Sequence, residues 1–164
     1  MPSANLSLRR ARTQDGAALV GILYDTFEST WLPNITAWAA QAFRQEDRPS
    51  SYVSKRGAEF WVAERGQEVV GLVDLEADFV NALHVRSDHA RTGVGARLME
   101  WAEAEIARAG YSASRLETDT FNTRSRGFYA ARGYEEIDRY PDVEWESGLT
   151  TVLLAKRLAG VAGR

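Results

Sequence analysis

The sequence predicts a mixed α/β domain in which helices cover the faces of a sheet. Short apolar runs rich in valine, leucine and isoleucine alternate with longer stretches in which apolar residues recur at every third or fourth position. The segments between them are short and turn-like, with no extended linker rich in proline, glycine or serine. Because the 164 residues also contain no internal repeat, we expect a single domain over residues 1–164.

The N-terminal third is predicted to form one strand and two helices. Leu6 and Leu8 alternate with polar neighbours, as in a short strand. Thr13 can cap the first helix and Asn34 the second. The residues expected on their buried faces are Leu19, Leu23 and Phe27 in the first helix and Ile35, Trp38, Ala39 and Ala42 in the second. Residues 44–56 are expected to form a polar connection or a short helix.

The middle of the chain is predicted to form three strands and the longest helix. Residues 60–64 and 69–76 are separated by a short turn containing glycine, which indicates an antiparallel hairpin. Residues 79–86 form a third strand. The helical pattern over 93–109 is closed by Gly110, a residue type that suits the left-handed position after a helix.

The C-terminal third repeats the alternation of strand and helix. Residues 115–120 are predicted to form a strand, after which Asn122 can cap a short helix that ends at Gly133. Residues 134–139 and 150–156 are predicted as two further strands joined by a polar loop.

Composition excludes several kinds of site. The chain has 45% hydrophobic and 26% charged residues, which is typical of a folded globular protein. It has no cysteine, so disulfides, thiolate metal sites and cysteine nucleophiles are excluded. The two histidines, His84 and His89, lie five positions apart on elements of different type and do not make a ligand set, so we expect no metal.

Charge and hydropathy argue against nucleic acid and membrane partners. The formal net charge is -3 and the basic residues are dispersed, unlike a surface that binds a phosphate backbone. No run of about 18 apolar residues occurs, and the first residues do not resemble a signal peptide. We therefore expect a cytoplasmic protein.

The segment 83–95, LHVRSDHARTGVG, runs from a strand through a short loop into the longest helix. Gly93 and Gly95 let a ligand approach the backbone, and the first N–H groups of a helix favour an anion, so this junction suits a phosphate or pyrophosphate. Nearby cations that could assist are Arg86, Arg91 and Arg97. The glycines could instead serve only close packing. The dinucleotide-binding and P-loop patterns are both absent, because no third glycine and no Gly-Lys-Ser/Thr follow.

A second segment, LETDTFNTRSRGFY followed by AARGY, covers residues 116–134. Together the two segments resemble the GNAT superfamily of N-acetyltransferases, whose signature is R/Q-x-x-G-x-G/A opening a helix, then a strand ending in Asn-x-x-A-x-x-F-Y and a Gly-Phe/Tyr. The sequence departs from this pattern at two positions. Ala90 stands where the family usually has Arg or Gln, and Ser125 stands where it often has Ala.

The resemblance implies a mixed, mostly antiparallel sheet of six to seven strands flanked by about four helices, with a splayed central strand pair that holds acetyl-CoA. It implies direct transfer of an acetyl group to a primary amine within a ternary complex, with a small molecule, an amino acid or a peptide N-terminus as acceptor. A homodimer is compatible with the family. A non-catalytic acyl-CoA-binding module and a partner subunit of a larger complex are the alternatives.

The resemblance also implies roles for individual residues. The cofactor-binding residues are Leu83, His84, Val85, Arg91, Thr92, Gly93, Val94, Gly95, Asn122 and Phe128. The Val85 N–H would stabilise the oxyanion, and Tyr129 would protonate the departing thiolate, unless Tyr129 is only a core residue whose hydroxyl bonds to backbone. Glu117 matches the glutamate base of the ribosomal-protein N-acetyltransferases, although it could equally be a solvent-facing carboxylate. Other candidate bases are Asp74, Glu76 and His84.

Four tryptophans lie in or near the segments that select the acceptor in this family. They are Trp31, Trp38, Trp61 and Trp145. An aromatic wall made of them could admit an apolar or cationic acceptor, whereas each could also belong to the core. The sequence leaves the acceptor open.

Overall fold

The computed structural model describes residues 5–142 and 147–159. The strands are Leu6–Arg10 (β1), Trp61–Arg65 (β2), Glu68–Glu76 (β3), Phe79–Val85 (β4), Ala113–Asp119 (β5), Glu135–Pro141 (β6) and Thr150–Arg157 (β7). The helices are Gly16–Thr26 (α1), Ala37–Gln45 (α2), Arg48–Arg56 (α3), Val94–Arg108 (α4) and Thr123–Ala131 (α5). Trp145 lies outside the described residues.

One seven-stranded sheet carries the fold, in the order β1-β2-β3-β4-β5-β7-β6. Neighbouring strands pair antiparallel except β4 and β5, which pair parallel. The predicted mixed, mostly antiparallel sheet is confirmed, and the described residues form five helices where about four were expected. Strand β3 is buried along most of its length because helices cover both of its faces.

Each face of the sheet has its own core. Helix α4 packs on one face through Val94, Leu98 and Ile106. Helix α1 packs on the other through Leu19 and Ile22. These residues recur at the three- and four-residue spacing of a helical face, and burying each large apolar side chain contributes about 1.5–3 kcal/mol.

The two central strands separate shortly after they meet. Only Phe79 with Arg115 and Val80 with Leu116 are paired between β4 and β5. On the other side of β4, the register with β3 shifts at Asn81, which makes this residue the extra one of a β-bulge. A bulge increases strand twist, and β4 leaves β5 from this point, so the predicted splayed pair is present.

A buried charge holds the bulge. Asp74 on β3 has no exposed surface. Its carboxylate accepts hydrogen bonds from Tyr52 Oη at 2.6 Å, from Arg56 at 2.7 and 3.1 Å, and from Asn81 Nδ2 at 3.2 Å. This network ties α3 to β3 and β4, and a buried carboxylate is tolerated because it is paired and fully hydrogen-bonded.

Two expectations for the second helix were wrong. Its cap is Thr36, whose hydroxyl accepts from Ala39 N at 3.1 Å, and not Asn34. Trp38 is 57% exposed rather than part of a buried stripe, because the residues that α2 buries are Ala39 and Ala40. A turn of π-helix between α1 and α2, Phe27–Trp31, shifts the helical register and brings Trp31 over the sheet.

None of the helices within the described ranges is long and apolar enough to cross a membrane.

Helix α4 reaches the sheet at Gly71 on β3. A Cβ there would lie 2.9 Å from Val94 Cγ1, 3.1 Å from Leu98 Cδ1 and 3.1 Å from the His84 carbonyl oxygen. We therefore expect Gly71→Ala to displace the first turn of α4 and to lower the free energy of unfolding by about 1–3 kcal/mol. Urea unfolding measures this change.

The matched control is Gly21→Ala in α1, where an added Cβ meets nothing within 4 Å. It should raise the stability by about 0.5–1 kcal/mol, because alanine is the better helix former. Equal effects of the two substitutions would contradict the close approach of α4 to β3.

Candidate functional site

A cavity of about 410 Å³ occupies the gap between β4 and β5. Ten of the twelve site residues proposed from the sequence line it: Leu83, His84, Val85, Arg91, Gly93, Gly95, Glu117, Asn122, Phe128 and Tyr129. Thr92 and Val94 do not line it. The Thr92 side chain turns toward Arg65, and Val94 is buried in the α4 core, so only their backbone groups are available to a ligand.

The free edge of β4 offers backbone donors to this cavity. Arg86 N donates to Val70 O at 2.8 Å, and His84 pairs with Leu72 on β3. Because N–H groups alternate in direction along a strand, those of Leu83 and Val85 are directed away from β3. They face the gap that β5 leaves open.

The loop before α4 presents a row of unpaired donors. Backbone N–H groups of residues 91 to 95 have no hydrogen-bond acceptor in the described chain, and the first backbone bond of the helix runs from Arg97 N to Gly93 O. Arg91 at φ 61° and Gly93 at φ 91° are both left-handed. Successive donors of this kind, at the positive end of a helix, form an anion-binding concavity.

A brace for this loop comes from the β2–β3 hairpin. Arg65 donates to Thr92 Oγ1 at 2.9 Å and to Thr92 O at 3.2 Å, and its Nη1 lies 3.1 Å from His89 Nδ1. Since arginine stays protonated, His89 accepts at Nδ1. Arg65 thus contacts the loop that lacks the usual arginine or glutamine at Ala90. No local sequence pattern predicts this contact, because Arg65 lies about 25 residues upstream of the loop.

The arginines that are available to a ligand near the loop differ from those expected from the sequence. Arg86 forms ion pairs with Asp88 at 2.6 Å and with Glu68 at 3.6 Å, so it is already committed. Arg91 lines the cavity, and so does Arg124 at the start of α5, which sequence reasoning missed.

Tyr129 is only 7% exposed, and its ring packs against Phe128 and Tyr134. Its hydroxyl makes no hydrogen bond to any described residue, in contrast to the backbone-bonded hydroxyl of a purely structural tyrosine. The hydroxyl oxygen keeps some exposed surface, and Tyr129 lines the cavity, so this oxygen borders the cavity. Burial raises the pKa of Tyr129, which keeps the phenol protonated at neutral pH.

Asn122 caps α5 by accepting from Ser125 N at 3.1 Å. Its side-chain amide lines the same cavity as Tyr129 and retains its N–H₂ donors.

Two carboxylates of β5 face the opposite side of the sheet from α5. Glu117 is exposed and accepts from the Tyr140 hydroxyl of β6. Asp119, two residues further on, is partly buried and accepts from Trp31 Nε1 at 2.9 Å. Burial raises the pKa of Asp119 above its ordinary value of 3.8. Sequence reasoning missed Asp119, although strand alternation places it on the face of Glu117.

His84 faces α1 rather than α4. Its Nδ1 lies 2.9 Å from Thr26 Oγ1, and its ring lies 5.9 Å from that of Trp31. Burial lowers the pKa of His84 to about 4, so the ring is neutral at pH 7. Its side chain is thus on the opposite side of β4 from Leu83 and Val85, which makes any contact with a thioester cofactor a backbone one.

The other candidate bases are poorly placed. Asp74 is enclosed in its network with Tyr52 and Arg56. Glu76 is exposed and accepts from Asn81 Nδ2 at 3.2 Å. Neither carboxylate lines the cavity.

Comparison with known protein families identifies the family of this chain. The sequence model of the acetyltransferase (GNAT) family matches residues 23–134. The chain belongs to the GNAT family.

The GNAT chain has relatives among characterised proteins. It is 31% identical to N-acetyltransferase 8 of Homo sapiens over 100 residues. The matched segment is 55% of this chain and 44% of that protein. This chain is 30% identical to N-acetyltransferase 8B of Rattus norvegicus over 110 residues. The matched segment is 60% of this chain and 50% of that protein. The chain therefore spans about half the length of the curated relatives it matches.

Solved structures of other proteins share the fold. The apo form of YjaB from Escherichia coli has a TM-score of 0.76 at 23% identity, over 95% of this chain and 99% of that one. The PaiA N-acetyltransferase of Thermoplasma acidophilum, solved in complex with coenzyme A, has a TM-score of 0.73 at 14% identity, over 94% of this chain and 99% of that one.

The Arg65 contact can be tested by binding. We expect Arg65→Met, which keeps the aliphatic stem and removes the donors, to weaken coenzyme A binding about tenfold, or about 1.4 kcal/mol, because the loop loses its brace. Calorimetric titration with coenzyme A measures this. Arg108→Met, on an exposed side chain at the far end of α4, is the control, and equal dissociation constants for both variants would exclude the brace.

The raised pKa of Asp119 predicts that the free energy of unfolding depends on pH. A carboxyl whose pKa is raised by folding contributes stability that is present below its unfolded-state pKa and lost as pH rises through the folded-state value. Asp119→Asn cannot ionise, so it should be more stable than the wild type at pH 7, with the difference shrinking toward pH 4. Urea midpoints at the two pH values measure this. A difference in stability that is the same at both pH values would contradict the effect of burial on Asp119.

Proposed function

We propose that this chain transfers the acetyl group of acetyl-CoA to a primary amine by direct attack in a ternary complex. The observation that carries the proposal is the row of unpaired N–H groups at residues 91 to 95, which shares one cavity with the unpaired hydroxyl of Tyr129. An anion cradle next to a buried, protonated phenol suits a ligand with a phosphate group at one end and a leaving group that needs a proton at the other.

The loop and the free edge of β4 bind acetyl-CoA. Backbone N–H groups from Arg91 to Gly95 hold the pyrophosphate, with Arg91 and Arg124 as nearby cations. Gly95 places no side chain on this side of the loop, where an added Cβ would make an ordinary contact with Phe128 at 3.5 Å. The pantetheine chain runs along β4 between Leu83 and Asn122.

Residues on both sides of the gap act on the thioester. The amine nitrogen bonds to the carbonyl carbon, and the Val85 N–H stabilises the oxyanion that forms. When the C–S bond breaks, Tyr129 gives its proton to the thiolate sulfur. Because the amine attacks the thioester directly, no covalent enzyme intermediate forms. The ammonium first loses a proton to Glu117, directly or through water, and the nitrogen loses a second proton to solvent after its bond to the carbonyl carbon has formed. Solvent restores the proton of Tyr129, so each turnover releases one proton.

Thermal unfolding tests whether the chain binds acetyl-CoA. A ligand that binds only the native state at a hundred times its dissociation constant stabilises the protein by about 2.7 kcal/mol, which is roughly 5 °C or more for a domain of this size. Acetyl-CoA and coenzyme A should each produce such a shift, whereas ATP should not. No shift at millimolar coenzyme A would exclude the cofactor site.

The substitution Tyr129→Phe tests whether Tyr129 protonates the departing thiolate. Loss of the phenolic proton should lower kcat by about a hundredfold or more, with the KM for acetyl-CoA little changed, because the ring and its packing remain. Release of free thiol from acetyl-CoA in the presence of an amine measures the rate. Phe121→Leu, outside the cavity lining, is the control. Binding of acetyl-CoA without any amine-dependent thiol release would favour the non-catalytic acyl-CoA-binding module.

A further inference from the structure

A second cavity, of about 270 Å³, lies on the α1 side of the sheet. It shares Thr26, Trp31, Asn81, Ala82 and His84 with the cavity between β4 and β5, so the two spaces adjoin at these residues. Acetyl-CoA is assigned above to the α4 and α5 side of the gap. The second cavity is therefore on the side from which an acceptor can reach the thioester.

The walls of the second cavity are mainly apolar. Phe27 and Phe43 stack in parallel, with their ring centroids 3.8 Å apart. Leu23, Pro49 and Trp31 add further apolar surface. The hydroxyl of Tyr52 is bound to Asp74, so this residue offers the cavity its ring. A ring-sized apolar group gains free energy by leaving water for such a space.

Charge at the junction of the two cavities favours a cationic amine. Asp119 and Glu117 both line the first cavity, and Trp31, which bonds Asp119, lines both. A partly buried carboxylate is stabilised by a cation that shares its site. An ammonium group beside Asp119 would stand at the gap, with its substituent directed under Trp31.

Among the described residues, the junction has no cation suited to a substrate carboxylate. His84 is neutral, and Arg91 and Arg124 lie at the loop and at α5, on the cofactor side. Arg48, the cation of the second cavity, donates to Glu46 Oε2 at 2.9 Å. A carboxylate next to the reacting amine would therefore meet Asp119 without a compensating partner.

His84 can orient the amine. Thr26 Oγ1 lies 3.2 Å from the carbonyl oxygens of Ile22 and Leu23 and can donate its single proton to one of them. His84 Nδ1 then donates to Thr26, which leaves His84 Nε2 as a hydrogen-bond acceptor. Nε2 has no hydrogen-bond partner in the described chain, and the ring borders both cavities.

Building on the acetyl transfer proposed above, we infer that the acceptor is a primary amine on an uncharged, ring-sized apolar group without a carboxylate. The apolar group fills the cavity between Phe43 and Tyr52, and Asp119 binds the ammonium.

A matched set of amines tests this inference. Free-thiol release from acetyl-CoA is measured with 2-phenylethylamine, with phenylalanine, which adds a carboxylate, and with ethanolamine, which lacks the ring. We expect kcat/KM for 2-phenylethylamine to exceed that for either other amine by at least about tenfold. A rate with phenylalanine or ethanolamine that equals or exceeds it overturns the inference and leaves the proposed acetyl transfer intact.

Variants of α2 locate the apolar group. Phe43→Ala should raise the KM for 2-phenylethylamine about tenfold and leave the KM for acetyl-CoA unchanged, and Phe43→Leu should have a smaller effect. Trp38→Ala, on the same helix but 57% exposed, is the control and should leave both constants unchanged. The thermal shift with coenzyme A shows that each variant is folded. An unchanged KM for 2-phenylethylamine in Phe43→Ala overturns the inference.

Binding separates this inference from the proposed function. If no amine supports thiol release, the proposed function fails, and 2-phenylethylamine is then titrated calorimetrically into the protein saturated with coenzyme A. Binding that Phe43→Ala weakens and Trp38→Ala does not would support the apolar site on its own. An absence of binding overturns the inference.

Discussion

The separation of β4 from β5 is the constraint on which the rest of the structure depends. The two strands share only two paired positions, and the bulge at Asn81 directs β4 away from its neighbour. Asp74 fixes that bulge from within the sheet, where it is held by α3 through Arg56. Removing one partner of such a buried pair typically costs 3–5 kcal/mol, so the opening is held by the same contacts that stabilise the α3 face.

The open strands give each side of the sheet a different chemistry. On the α4 side are unpaired backbone donors and the Tyr129 hydroxyl, which suit a long anionic thioester. On the α1 side are a neutral His84, aromatic rings and Asp119, which accepts from Trp31, and these groups suit an amine. Two substrates can thus meet across one strand without competing for the same groups.

The sequence predicted the elements well, because helical and strand periodicities are local properties and Gly110, Asn122 and Gly133 mark helix ends through their own backbone and side-chain chemistry. It placed ten of twelve proposed site residues on one cavity because the GNAT motifs are contiguous. Long-range contacts were not predictable. Neither the reach of Arg65 to Thr92 nor the bond from Trp31 to Asp119 leaves a pattern in the neighbouring sequence, and the exposure of Trp38 depends on how α2 docks.

The partly buried Asp119 has a consequence for turnover in the proposed reaction. An ammonium entering the gap is attracted by this carboxylate, whereas the amide that acetylation produces carries no charge at that nitrogen. The attraction that admits the substrate is therefore lost when the product forms. Asp119 would in this way favour product release and limit inhibition by accumulated amide.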